Sequence, residues 1–246
     1  MKLLKLITVG STFLMIIINL LSNALPINNQ TTAAISDSFK VYFVPAGYVF
    51  SIWGIIYIGL LAFNAFVLKS RSNRLTNQIL IAAIVSNIAN SVWIFLWHYN
   101  QPVISVLAML VLLISLIYIY LNFNSRKDLT KNEYYFVKIP FSIYLGWISV
   151  ATIANITVAL YSLDWNGFGI SDVNWAVIMV IVAAALSLLM LLRHRDIFFS
   201  AVIVWVLVGI GVKFSNIRIL NITAFVCAIA IFVFVIYTMV KRFLIK

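Results

Sequence analysis

Runs of about 20 predominantly apolar residues recur along the whole chain, separated by short polar breaks. A run of that length spans the hydrocarbon of a bilayer as an α-helix. Lipid offers no partner to backbone N–H and C=O groups, so only helices and closed barrels can cross it. A barrel would show segments of about ten residues with alternating polarity, and none are visible. The pattern predicts an all-α, polytopic helical membrane protein. Composition agrees: 64% of the 246 residues are hydrophobic and 9% charged, against roughly half and a quarter in soluble domains.

Eight spans are expected, at 3–25, 46–68, 78–98, 102–123, 138–161, 173–192, 197–213 and 216–240. Turn formers mark several of the breaks: Pro26, Asn100-Gln101-Pro102 and Asn166-Gly167. The seventh span is the shortest. The basic residues then test the orientation. With the N-terminus inside, the inner segments hold Lys2, Lys5, Lys69, Arg71, Arg74, Arg126, Lys127, Lys131, Lys138, Arg193, Arg195, Lys241, Arg242 and Lys246, which is 14 of the 17. The outer segments hold Lys40, Lys213 and Arg218. Such a bias over short loops predicts a multi-pass protein of the plasma membrane with both termini cytoplasmic. It also accounts for the net charge of +11 without nucleic acid as a partner. At the start, Ser22-Asn23-Ala24 resembles a small-x-Ala cleavage site. The long apolar stretch before it, and Pro26 close behind it, favour a retained first span. The single cysteine, Cys227, lies in an apolar run and excludes an intramolecular disulfide.

No Asp, Glu, Lys or Arg lies near the middle of a span. Ionisable groups there usually mark ion paths and proton relays, so an ion-driven pump is disfavoured. A retinal protein would need a deep lysine with a carboxylate, and Lys213 sits at a span end. His98 and His194 are at span ends and far apart. No cluster has metal-ligand spacing and no Ser-His-Asp set is visible. Neither catalytic nor metal residues are expected, and no cofactor is required.

Aromatic rings and amides remain. In "PAGYVFSIWGIIYIG", at residues 45 to 59, Phe50, Trp53 and Tyr57 lie along one helical stripe that continues to Leu61 and Asn64. Ala83, Asn87, Asn90, Ile94 and Trp97 form a second stripe, with Trp93 one turn from Asn90, and Tyr144, Trp147, Ala151 and Asn155 a third. Trp53 lies seven residues past Ala46, hence about 10 Å into the membrane at 1.5 Å per residue. Trp147 and Trp205 are also read as deep. Trp97, Trp165 and Trp175, at span ends or in loops, read as interfacial anchors. Each asparagine taken alone reads as interhelical glue. Three aromatic-plus-amide stripes on separate helices together point to a lined pocket.

These residues resemble the TspO/MBR family, the tryptophan-rich sensory proteins that include the translocator protein, or peripheral benzodiazepine receptor. Pro45-Ala46-Gly47 followed by Phe50, Trp53 and Tyr57 is similar to the family's turn and second helix. Asn90-Ser91-Val92-Trp93 is similar to its third-helix Asn-x-x-Trp. Tyr144-Leu145-Gly146-Trp147 with Ala151-Thr152 and Asn155 is similar to its fifth-helix signature. There are departures: Ala46 replaces a second proline, and the Phe50–Trp53 spacing is one residue short. The resemblance covers about residues 1–161 and implies a five-helix bundle there, with 162–246 adding three spans. It implies a pocket for planar hydrophobic ligands such as porphyrin, haem or sterols. The ligand-binding residues expected are Phe50, Trp53, Tyr57, Asn87, Asn90, Trp93, Tyr144, Trp147 and Asn155. The turn would set the angle of the second helix, with Gly47 tolerating close approach.

The function expected is a sensory, regulatory or carrier role through that ligand. The alternatives are a transporter of a neutral or amphipathic solute and a structural subunit without ligand. An enzyme degrading a bound porphyrin would lack acid–base groups. The partners expected are the lipid bilayer and a hydrophobic small molecule, with a homodimer as an admissible assembly.

Overall fold

The computed structural model describes residues 2–25, 27–70, 76–124 and 128–244, and among these there is no strand. The helices are α1 (Lys2–Ala24), α2 (Thr32–Ser38), α3 (Ile52–Lys69), α4 (Asn77–His98), α5 (Pro102–Asn124), α6 (Lys131–Ser162), α7 (Asp172–His194), α8 (Ile197–Lys213) and α9 (Arg218–Leu244). Among the described residues, seven spans are long and apolar enough to cross a membrane, and α8, with 17 residues, is shorter. The polytopic all-α expectation holds. Pro26, Arg71, Arg74, Arg126, Lys127 and Lys246 lie outside the described residues, as does the side chain of Arg242.

Local chemistry sets the helix ends. Thr76 caps α4 by accepting from the Ile79 N–H at 3.3 Å, which satisfies a donor the helix itself leaves free. Thr130 and Glu133 form a reciprocal capping box at the start of α6. Pro102 opens α5, where its missing N–H costs nothing. Within α6 one π-turn spans Tyr134–Lys138. Pro140 follows it and cannot donate to the carbonyl four residues back, and the widened turn takes up that mismatch. At the end of α7, Arg195 takes a left-handed conformation (φ 50°), and its N–H reaches Leu191 O at 3.0 Å. The chain can then reverse within two residues into α8.

Five helices close a ring. α1 packs on α3 and α4, α4 on α5, α5 on α6, and α6 on α3. α8 lies against the outside of α6, and α7 and α9 flank α8. Gly146 lets α6 and α8 approach, since a Cβ there would meet Phe199 O at 3.1 Å. The ring interior is tightly filled: Leu112, Leu116, Ile119, Val137 and Tyr144 are fully buried. Outward positions such as Ile58, Leu107, Ile114 and Ile229 are both apolar and exposed, the surface expected where lipid is the solvent.

The apolar span runs Gly47–Lys69, one residue from the expected 46–68; its first stretch, Gly47–Ser51, is 3₁₀, and α3 proper starts at Ile52. The Pro45-Ala46-Gly47 turn departs from expectation in one respect. Gly47 is not a point of close approach, because a Cβ there would meet nothing within 4 Å. The glycine that must stay small is Gly209 on α8, where a Cβ would come within 2.3 Å of Val49 Cγ2. The Ala46 N–H donates to Gly209 O at 3.2 Å, and the Trp205 indole donates to Val49 O at 3.1 Å. α8 therefore clamps the turn from outside.

Candidate functional site

Phe50, Trp53, Trp93, Trp97, Trp147 and Asn155 line one cavity of about 50 Å³ between the ring helices α3–α6, α2 and α8. The 3₁₀ turn and the start of α3 supply Phe50 and Trp53, α4 supplies Trp93 and Trp97, and α6 supplies Trp147 and Asn155. Thr32 and Ser36 of α2 close one end, with Phe43 and Pro45 beside them. α2 is held in place from α4. The Trp97 indole donates to Thr32 O at 3.3 Å, and the buried His98 ring lies 3.1 Å from both Thr32 Oγ1 and Ile27 O.

The rings are packed on one another. Trp53 stacks on Tyr57 (5.6 Å, 24°) and meets Trp147 and Tyr144 edge-on at 6.1 and 5.9 Å. Phe50 meets Trp147 edge-on at 5.6 Å. Trp93 and Trp97 stack at 5.6 Å and 23°. The Trp93 indole donates to Asn155 Oδ1 at 2.9 Å, and Asn155 Nδ2 donates to Ser105 Oγ at 2.9 Å. By contrast, the Trp147 indole nitrogen is buried and has no hydrogen-bond partner among the described residues. Among the described residues, no charged side chain lines the cavity.

The nine residues read from the sequence divide. Phe50, Trp53, Trp93, Trp147 and Asn155 line the cavity; Tyr57, Asn87, Asn90 and Tyr144 lie outside its wall. Tyr57 supports Trp53 from behind. Asn87 Nδ2 donates to Ser11 Oγ and Thr12 Oγ1 of α1, at 3.0 and 2.9 Å. Asn90, wholly buried, accepts from Asn19 Nδ2 at 2.7 Å and donates to Tyr144 OH at 3.0 Å, so it ties α4 to α1 and α6. These two amides join helices.

Trp97 corrects the anchor reading: it is 5% exposed and part of the cavity wall. Its place four residues after Trp93, on the same stripe, carried that signal. Trp205, halfway along α8, is 38% exposed and lies against the 45–49 turn. Met109 of α5 and Val206 of α8 also line the cavity. Nothing in the pattern of those two apolar helices distinguished either residue.

Fold and site together define an integral, multi-pass α-helical membrane protein built on a five-helix ring with an aromatic intramembrane cavity. The family model described as TSPO-like protein matches residues 5–237, and the chain belongs to that family. The match extends past the ring through most of α9. No curated protein and no solved structure matches the chain.

Proposed function

We propose that this TSPO-like protein binds a planar hydrophobic ligand, such as a porphyrin, haem or a sterol-like molecule, in the aromatic cavity. Through that ligand it acts as a sensor, regulator or carrier in the cell membrane, with both termini on the cytoplasmic side. Trp147 carries the reading. A buried donor without an acceptor costs about 1–3 kcal/mol, and the Trp147 indole is such a donor in the wall of an otherwise apolar cavity. A ligand with a flat π-face and a polar rim offers ring stacking to Trp53 and Trp147 and an acceptor to that N–H. Mostly apolar walls with few polar groups are usual for such sites.

The cavity volume favours a second reading. About 50 Å³ is well short of the roughly 300–1,000 Å³ of small-molecule sites, so a macrocycle enters only as Trp53, Trp147 and their neighbours move apart. A structural subunit without ligand would keep these rings as packing. Porphyrin titration by tryptophan quenching, in nanodiscs, decides between the two. Trp147→Phe removes part of the stacking surface, about 0.5–1.5 kcal/mol, and one hydrogen bond to ligand, about 1 kcal/mol. The ligand-binding reading predicts affinity about ten- to fifty-fold lower, with Trp165→Phe near wild type. Equal affinities for the two variants, or no binding by the wild type, would favour the structural reading.

A further inference from the structure

A second cavity, of about 520 Å³, opens at the end of the molecule opposite the N-terminus, between α6, α7 and residues 40–43. It is about ten times larger than the inner one and falls within the roughly 300–1,000 Å³ of small-molecule sites. Buried Phe43 is a wall of both cavities. The depth of this second cavity is apolar, formed by Ile153 and Ile156 of α6 with Ala176 and Met179 of α7. Its rim is charged and aromatic: Lys40, Asp164 and Asp172 stand with Tyr161, Trp165 and Trp175.

The rim has a fixed geometry. The Trp175 indole donates to Gly167 O at 2.8 Å, and the Trp165 and Trp175 rings lie 5.2 Å apart at 49°. Gly167 has φ +61°, and a Cβ on it would sit 3.0 Å from Trp175 Nε1, so glycine is the residue that closes this loop on that ring with least strain. The rim thus presents two held indoles, two carboxylates and one ammonium above an uncharged apolar slot. A purely anionic head group would meet Asp164 and Asp172, and a purely cationic one would meet Lys40. A head group carrying both charges matches all three, with its ammonium over the indoles and its phosphate at Lys40. The slot opens at the membrane face that the α6–α7 connection occupies, where lipid head groups lie.

We infer that this cavity binds a zwitterionic phospholipid of the adjoining leaflet, head group at the Lys40–Asp164–Asp172 rim and one acyl chain between α6 and α7. The test is native mass spectrometry of the full chain, titrated with phosphatidylcholine, phosphatidylglycerol and diacylglycerol. One phosphatidylcholine is retained per chain, and the other two lipids bind about three- to ten-fold more weakly, the scale of one lost cation–π contact or rim ion pair. Asp164→Asn with Asp172→Asn, both at exposed positions, brings phosphatidylcholine down to the level of phosphatidylglycerol. Met179→Trp fills the slot and abolishes retention of all three. Equal retention of the three lipids by the wild type would overturn the inference. So would unchanged selectivity in the double variant, or unchanged phosphatidylcholine retention in a Met179→Trp chain of wild-type helicity. Porphyrin titration of the same Met179→Trp chain stays at the wild-type value, so failure of the inner-cavity reading and failure of this one are told apart.

Discussion

Val49 lies directly over Gly209: a methyl group placed on Gly209 would come 2.3 Å from Val49 Cγ2 and 3.1 Å from Pro45 Cβ. Neither neighbour can yield easily. Valine is stiff at χ1, and Pro45 belongs to a fixed turn that donates Ala46 N–H to Gly209 O. Gly209→Ala is therefore expected to lower stability by about 1–3 kcal/mol through overpacking. Thermal unfolding in detergent measures it, and Val49→Ala in the same chain should recover part of the loss. A Gly209→Ala protein as stable as wild type would show that the turn is not clamped by α8.

Asn90 is expected to matter for folding before it matters for any ligand. Asn90→Ala leaves Asn19 without its partner amide and Tyr144 OH without its donor. Interhelical hydrogen bonds in bilayers average about 0.6 kcal/mol, and two lost bonds at a fully buried position predict about 1–2 kcal/mol. Denaturant titration by circular dichroism checks this. An Asn90→Ala chain of unchanged stability but weakened porphyrin binding would return Asn90 to the ligand site.

Asp196 should behave as the anchor of α8. Its carboxylate caps the helix by accepting from the Phe198 and Phe199 N–H groups at 3.1 Å. It also accepts from Ser142 Oγ at 2.6 Å and from Tyr120 OH at 2.8 Å, joining α8 to α6 and α5. Asp196→Ala removes the cap and strands two buried hydroxyls, a loss of about 2–4 kcal/mol. Asp196→Asn keeps one acceptor and is expected to lose less. If the two variants melt alike at the wild-type temperature, the network carries no stability.

Orientation is open to labelling. In a Cys227→Ser background, Asn166→Cys is expected to react with an impermeant maleimide from outside intact cells, and Asn132→Cys only after permeabilisation. The reverse pattern would overturn the positive-inside argument.

Much of this protein was decided locally. Apolar runs of span length, in a medium that cannot solvate a bare backbone, admit only helices here, and α5 begins at Pro102 as the sequence reading places it, whereas α6 begins at Lys131, seven residues before the expected 138. The 3.6-residue period likewise put Phe50, Trp53 and Trp147 on stripes. Periodicity names a face, however, and not the neighbour that the face meets. Asn87 and Asn155 occupy comparable positions on their stripes, yet Asn87 turns to Ser11 and Thr12 of α1 while Asn155 meets Trp93 and Ser105 at the cavity. That difference arises from the order of helices around the ring. The same holds for Gly209, an ordinary residue in an apolar run until Val49 is laid across it, and for the slot between α6 and α7. The α6 and α7 residues that form its depth are unremarkable apolar ones, 20 or more positions apart in the chain. Long-range packing brings such groups together, and no local pattern encodes which pairs will meet.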